Sequence, residues 1–216
     1  MKIGILGTGM VGKTLATRLV ELDHEVKMGS RTRDNPEATA WALAHGEGAS
    51  HGTFADAAGF GELLVNATAG MASLTALEAA GADNLGGKTL MDVANTLDFS
   101  QGLPPSLAVV NTDSLGEQIQ RTYPGLKVVK ALNTMNCVLM ADPAKLSGSH
   151  NVFVCGNDAQ AKSLVMELLR SLGWPAEDII DLGDIGAARG TEMLLPLWIR
   201  LMGVLGTPQF NFKIVR

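Results

Sequence analysis

The sequence predicts an α/β fold of the Rossmann type: a doubly wound, mostly parallel sheet with a small helical C-terminal portion. Short apolar runs alternate with segments whose apolar residues recur every three to four positions, which is typical of parallel strands joined by crossover helices. The runs are almost continuously apolar, as expected for strands that helices cover on both faces. A glycine-rich turn, "GTGMVG", follows the first run directly.

The individual elements follow from these two periodicities. The apolar runs predict strands at 2–7, 25–29, 63–68, 88–94, 107–111, 127–132 and 151–156. The three-to-four-residue spacing predicts helices at 11–22, 36–46, 73–81, 114–123 and 158–173.

The predicted strands stop near 181–190, which suggests a boundary there. Residues 1–185 are expected to form a nucleotide-binding domain of the Rossmann type. Residues 186–216 then form an apolar helix, Met193–Leu205, and a tail. This portion is too small to fold independently, so we expect it to pack over the open end of the sheet.

Composition narrows the class of protein. Hydrophobic residues make up 46% of the 216 residues and the net charge is −5, which fits a compact protein without a basic surface for nucleic acid or anionic membranes. The chain enters a strand at once, without a signal peptide, and 193–205 is too short for a membrane span, so a cytoplasmic location is expected. Cys137 and Cys155 lie in apolar runs and the four histidines are scattered, so no metal site is predicted.

The glycine-rich turn has the pattern G-x-G-x-x-G between a strand and a helix. In such a turn Gly7 makes a tight bend, Gly9 lets a pyrophosphate approach the backbone, and Gly12 allows close packing of helix on strand. The N-terminus of the following helix favours an anion. The pattern predicts dinucleotide binding; the alternative is a glycine-rich turn without a ligand.

The end of the second strand predicts which dinucleotide binds. A fold of this kind usually places an acidic residue about 20 residues after the glycines, on the ribose hydroxyls. This chain has Ser30, Arg31 and Arg33 there. Arginine suits a 2′-phosphate that a carboxylate would repel, so the sequence predicts NADP(H). The alternative is a solvated strand end with ordinary surface arginines.

A family resemblance covers nearly the whole chain. It is carried by "GTGMVGKTLATRL", "GSRTRD", "KVVKALNTMNCVLMADP", "VFVCGNDAQAKSLVMELLRSLGW" and "LLPLWIRLMG". These stretches resemble the NADPH-dependent reductases of the deazaflavin coenzyme F420, and they are similar to the cytosolic nucleotide domain of the six-transmembrane ferric reductases. The resemblance implies hydride transfer between NADPH and coenzyme F420, or a flavin such as FMN or FAD, at the carboxyl ends of the strands.

The resemblance also implies which residues hold the dinucleotide. They form four groups along the chain: Thr8, Gly9, Met10 and Val11 for the pyrophosphate; Ser30 and Arg31 for the 2′-phosphate; Thr68 and Ala69 beside the ribose and nicotinamide; and Ala131, Asn133, Thr134 and Met135 beside the nicotinamide ring. Hydride transfer between two rings depends on positioning, so no catalytic side chain is predicted.

Two departures from the reductase pattern lie where the acceptor would bind. The chain has "AGMAS" where those reductases carry a bulky, His-containing segment. It also has Asn133 where they carry a histidine, and at this position the chain is more similar to the ferric-reductase domains. Asn95 and Thr96 are further possible contacts, whereas Asp92 is read as structural. Reduction of a small imine or carbonyl substrate, and NADP(H) sensing without an acceptor, remain alternatives.

The apolar C-terminal stretch has two interpretations. Its four large side chains either cover the acceptor ring or belong to the core or a dimer interface; these are Trp198, Met202, Phe210 and Phe212. A homodimer is expected, because this stretch is too hydrophobic for the surface of a monomer.

Overall fold

The computed structural model describes all 216 residues, and its centre is a twisted sheet. The chain forms ten strands: β1 (Lys2–Leu6), β2 (Glu25–Ser30), β3 (Ala49–Thr53), β4 (Leu63–Asn66), β5 (Thr89–Asp92), β6 (Leu97–Asp98), β7 (Ser106–Leu107), β8 (Lys127–Ala131), β9 (Val152–Gly156) and β10 (Ile179–Asp181). Eight of them pair in the order β10-β9-β8-β5-β4-β1-β2-β3, and β6 and β7 form a separate pair. The mostly parallel Rossmann-type sheet is therefore confirmed.

The strand order creates a crevice beside β1. The chain first builds β2 and β3 on one side of β1, then β4 and β5 on the other. In open parallel sheets, ligands bind outside the carboxyl ends of the strands at such a point of reversal. The glycine-rich turn leaves β1 at this place.

Helices cover both faces of the sheet. They are α1 (Met10–Glu21), α2 (Pro36–His45), α3 (Phe54–Phe60), α4 (Ser73–Ala80), α5 (Ala82–Leu85), α6 (Leu115–Thr122), α7 (Cys137–Ala141), α8 (Ala159–Ser171), α9 (Ala188–Met193) and α10 (Leu195–Leu205). Side chains of α1, α2, α7 and α8 pack in the core on one face. Those of α3 to α6 and α9 pack in the core on the other.

Two parts of the sheet differ from the prediction. The predicted strand 107–111 lies outside the main sheet, because only Ser106–Leu107 pairs, with β6, and Asn111 has a left-handed φ of 65°. The strands β3 and β10 were not predicted. Both are edge strands with a single neighbour, so neither needs the continuous apolar run that marks a central strand.

Strand β9 runs antiparallel to β8, with Val129 opposite Gly156. The start of β9 therefore lies at the carboxyl edge of the parallel strands. The C-terminal tail packs there: the N–H of Asn151 donates to the carbonyl of Phe212 at 2.8 Å, and Asn136 Nδ2 donates to the carbonyl of Pro208. None of the helices combines the length and the hydropathy that crossing a bilayer requires.

Candidate functional site

The three glycines of the turn have different surroundings. Gly7 has a φ of 122°, and an added Cβ there would lie 2.5 Å from the carbonyl oxygen of Ala67. A Cβ on Gly12 would collide with the carbonyl oxygen of Gly7, so this position allows α1 to pack closely on the strand. A Cβ on Gly9 would meet no atom within 4 Å, which leaves open space above the backbone. The geometry matches the roles that the motif predicts.

The N-terminus of α1 is ready to accept an anion. The capping residue, Gly9, provides no side-chain hydrogen bond, and the first turn contains no acidic residue. The first N–H groups of this twelve-residue helix, among them those of Met10 and Val11, therefore have no acceptor within the helix and carry the positive end of its dipole.

Alanine at the two glycines is expected to separate binding from stability. Gly9→Ala places a methyl group in the open space, so NADPH affinity falls by about tenfold or more while the free energy of unfolding changes by less than about 0.5 kcal/mol. Gly12→Ala forces α1 away from the turn and lowers the free energy of unfolding by about 1–3 kcal/mol. Urea unfolding and NADPH fluorescence titration measure both; unchanged NADPH affinity in Gly9→Ala contradicts the assignment.

A groove of about 570 Å³ opens beside the turn. Seven predicted residues line it: Gly7, Thr8, Gly9, Ser30, Arg31, Thr68 and Ala69. Eight lining residues were not predicted: Asn35, Phe54, Ala67, Met71, Ala72, Thr75, Ala76 and Ala79. Thr75, Ala76 and Ala79 lie on one face of α4, and their helical spacing after "AGMAS" is the sequence signal that would have indicated this wall. A larger cavity of about 870 Å³ lies between β10 and the tail, away from the glycines.

The two arginines after β2 are in different situations. Arg31 is exposed, lines the groove and makes no ion pair. Arg33 pairs with Asp56 at 2.9 Å and does not line the groove. Hydrogen bonds from Thr53 and from Arg33 hold the pKa of Asp56 below its usual value, so this carboxylate stays charged beside Arg33. Arg31 is thus the arginine that remains available for a phosphate.

Ser30 is buried, and its hydroxyl donates to the carbonyl oxygen of Thr32. This bond holds the turn after β2 in shape. The resemblance implies that Ser30 contacts the 2′-phosphate; in the structure its hydroxyl proton goes to a protein acceptor, and the residue lines the groove.

The predicted nicotinamide group lies beneath the surface. Asn133, Thr134 and Met135 are each at most 5% exposed, Ala131 is fully buried, and none lines the groove. Asn133 is fixed by a reciprocal pair with Asn95, in which each side chain donates to the other residue, at 2.9 and 3.0 Å. The structure therefore places these residues next to the carboxyl edge of β5 and β8 without exposing their side chains there.

Sequence reasoning missed a buried charge cluster between the sheet and the C-terminal portion. Lys130 of β8 pairs with Asp92 of β5 and with Glu192 of α9, both at 2.8 Å, and all three side chains are at most 1% exposed. Glu192 also accepts the N–H groups of Leu115 and Gly116 at the start of α6. Burial opposes the charge on Lys130, but the two carboxylates outweigh it and raise the pKa of Lys130.

The aromatic residues of the C-terminal portion form their own stack. Trp198 lies on Phe210 with ring centroids 5.3 Å apart, and Phe210 meets Phe212 edge-on at 6.4 Å. Helix α10 itself buries only Leu195. Its side chains Leu197, Val204 and Leu205 are all more than half exposed.

Comparisons with known proteins show which sequences and overall folds the chain resembles. The sequence model of the family described as "NADP oxidoreductase coenzyme F420-dependent" matches residues 2–96. A crystal structure of a protein from Arthrobacter sp. FB24, provisionally described as an F420-dependent NADP reductase, is 58% identical and covers 100% of both chains with a TM-score of 0.95. The F420-dependent NADP reductase of Methanocaldococcus jannaschii is 28% identical over 93% of this chain and 92% of its own.

A second group of relatives is longer. Metalloreductase STEAP3 of Rattus norvegicus is 33% identical over 205 residues, which are 91% of this chain. The match spans only 38% of that metalloreductase, so the chain corresponds to a little over a third of its length. The similarity therefore concerns one portion of the metalloreductase.

Proposed function

Because the chain belongs to the family of coenzyme F420-dependent NADP oxidoreductases, we propose that it transfers a hydride between NADPH and the deazaflavin coenzyme F420. Membership makes the protein an NADP-dependent oxidoreductase. The observation that carries the proposal is the groove, where the open N-terminus of α1 and the unpaired Arg31 lie on one continuous surface.

The groove supplies a partner for each charged part of NADPH. The N–H groups at the start of α1 bind the pyrophosphate, and Gly9 leaves the space for it. Arg31 binds the 2′-phosphate through its planar fork of N–H donors. The small side chains of α4 at Thr75, Ala76 and Ala79 form the opposite wall.

The chemistry then depends on orientation and on the exclusion of water. NADPH, when bound, would supply the hydride, and the one proton that the reduced acceptor ring takes up would come from solvent. The residues of the chain hold the reacting ring at the carboxyl edge of β4, β5 and β8. There the Asn95–Asn133 pair connects the loop that follows β5 to the loop that follows β8. In this proposal residues 186–216 pack over the acceptor site, and the stack of Trp198 and Phe210 forms part of its cover.

Anaerobic NADPH oxidation by the purified protein tests the proposal. Coenzyme F420, FMN, FAD and no acceptor are compared, with NADH in parallel. Turnover with F420, and with NADPH well ahead of NADH, is the expected result. Turnover with FMN or FAD but not with F420 would mean that the acceptor is a flavin rather than the deazaflavin. Binding of NADPH without turnover by any acceptor contradicts the proposal.

We also propose that the protein is a cytoplasmic homodimer formed through α10. The exposed apolar side chains of this helix are Leu197, Val204 and Leu205, and Arg200 is its only charge. The free cysteines Cys137 and Cys155 fit a reducing compartment. Light scattering is expected to give twice the chain mass of 22.7 kDa for the wild-type protein. The Val204→Glu variant is expected to be a monomer with the mass of one chain. A monomer at micromolar concentration contradicts this proposal.

A further inference from the structure

Asp92 ends β5 in a fully buried position and is surrounded by hydrogen-bond donors. Its Oδ1 accepts from Asn66 Nδ2 at 2.8 Å and from the N–H of Ala94 at 3.2 Å, and its Oδ2 accepts from Lys130 Nζ at 2.8 Å. All three partners are donors, so both oxygens of the side chain act as hydrogen-bond acceptors. The ammonium of Lys130 is itself saturated, because it also meets Glu192 and the carbonyl of Ala94.

The carboxylate sets the orientation of the neighbouring amide. Asn66 must turn its NH₂ group towards Asp92, and its second N–H goes to Ser73 Oγ at 2.9 Å. The carbonyl oxygen of the amide therefore faces Thr68. It accepts the hydroxyl proton of Thr68 at 2.7 Å and the backbone N–H of Thr68 at 3.3 Å.

The orientation continues to the surface of the groove. Ser73 Oγ already accepts from Asn66, so its own proton is available for Thr68 Oγ1, 2.9 Å away. The hydroxyl of Thr68 then donates to Asn66 and accepts from Ser73, and one lone pair is left. Thr68 is only partly buried and lines the groove beside Gly7 and Gly9.

From this chain of contacts we propose that Asp92 is a positioning residue for the dinucleotide. Acting through Asn66, it fixes Thr68 Oγ1 as a hydrogen-bond acceptor that faces the groove, and the bound dinucleotide must present a donor to it. Two groups at the nicotinamide end of NADPH carry such a donor: the carboxamide N–H of the nicotinamide and the hydroxyls of its ribose. The inference rests on NADP(H) binding and is independent of the acceptor.

A double-mutant cycle measures the action of Asp92 through Thr68. Asp92→Asn offers an NH₂ group that turns the amide of Asn66 around, so the hydroxyl of Thr68 loses its acceptor and its orientation. We expect Asp92→Asn and Thr68→Val each to weaken NADPH binding by about tenfold, and Asp92→Asn to change affinity by less than about twofold when Val is already at position 68. The Thr68→Ser variant keeps the hydroxyl and should therefore bind NADPH with the affinity of the wild-type protein.

The matched control is Asp178→Asn. Asp178 is also a buried aspartate, 4% exposed, with an ion pair to Lys213 at 2.8 Å, but it is remote from the groove. The Asp178→Asn substitution is expected to lower the melting temperature without changing the affinity for NADPH. Asn66→Leu provides a second route, because it interrupts the chain and leaves Lys130 paired; it should reproduce the affinity loss and the non-additivity.

Fluorescence titration with NADPH gives the affinities, and thermal unfolding gives the stabilities. Additive losses in the Asp92→Asn, Thr68→Val variant overturn the proposal, as does a loss of stability in Asp92→Asn without any loss of affinity. An oxidised cofactor with a 3-acetylpyridine ring, which lacks the carboxamide N–H, separates the two donors. If the wild-type protein binds this cofactor more weakly than NADP⁺ and the Thr68→Val variant does not, the donor to Thr68 is the carboxamide. If both proteins prefer NADP⁺ to the same degree, the donor is a hydroxyl of the ribose.

The result is also separable from the proposed function. A wild-type protein that binds no NADPH contradicts the proposed function itself. Tight NADPH binding with an additive cycle overturns only the inference about Asp92.

Discussion

Arg31→Ala is expected to weaken NADPH binding by about 10- to 100-fold, the equivalent of about 1.5–3 kcal/mol for a hydrogen bond to a charged group. The reason is that Arg31 lines the groove without a protein partner, so its guanidinium is available for the 2′-phosphate. NADH lacks this phosphate, and its affinity should not change. Fluorescence titration with both cofactors therefore shows the preference for NADPH disappearing.

Arg33→Ala is the control for this prediction. Arg33 lies two residues away and its side chain is 64% exposed, but it pairs with Asp56 and does not line the groove. NADPH affinity should fall by less than about threefold, because an exposed ion pair contributes little. If Arg33→Ala weakens NADPH binding more than Arg31→Ala does, the assignment of the 2′-phosphate to Arg31 is wrong. Arg33 would then leave Asp56 and bind the phosphate when the cofactor binds.

Lys130→Met is expected to lower the free energy of unfolding by about 3–5 kcal/mol, since removing one member of a buried ion pair leaves its partners uncompensated. Here two carboxylates, Asp92 and Glu192, would remain buried without a counter-charge. Methionine has a similar length and no charge, so the effect is electrostatic rather than a cavity. Urea unfolding, with the midpoint and slope recorded, measures the change.

Lys145→Met provides the comparison on the surface. Lys145 is 61% exposed and lies 3.8 Å from Asp142, so its removal should change the free energy of unfolding by less than about 0.5 kcal/mol. Equal effects of the two substitutions would mean that the cluster around Lys130 contributes no more than a solvated pair.

Much of the fold was predictable because its signals are local. The turn Gly7–Gly12 stands between a strand and a helix, and the central strands read as apolar runs because both faces are buried. The edge strand β3, "ASHGT", was not predictable in this way, since it pairs only with β2 and needs little hydrophobic surface. The run 107–111 shows the converse: apolar composition alone does not decide whether a segment joins the sheet.

The site was predictable only where sequence position fixes it. Ser30 and Arg31 follow from their distance to the glycines, whereas the wall formed by α4 and the partners of Lys130 depend on tertiary packing. Asp92 and Glu192 lie 38 and 62 positions from Lys130, and no local pattern links them. A signal was nevertheless present: Asp92 and Lys130 each interrupt an apolar run with a charge, and two such interruptions of opposite sign in neighbouring strands indicate a buried pair.

The direction of β9 has a consequence for how the protein can be handled. Because β9 runs against β8, its start lies at the carboxyl edge, and Pro208 and Phe212 of the C-terminal tail pack there on Asn136 and Asn151. Met1 precedes β1 and lies at the opposite edge, near His24. An affinity tag, a fluorophore or a surface linker joined to Met1 is therefore attached at the edge of the sheet opposite the glycine-rich turn, whereas one joined to Arg216 is attached beside the cavity between β10 and the tail.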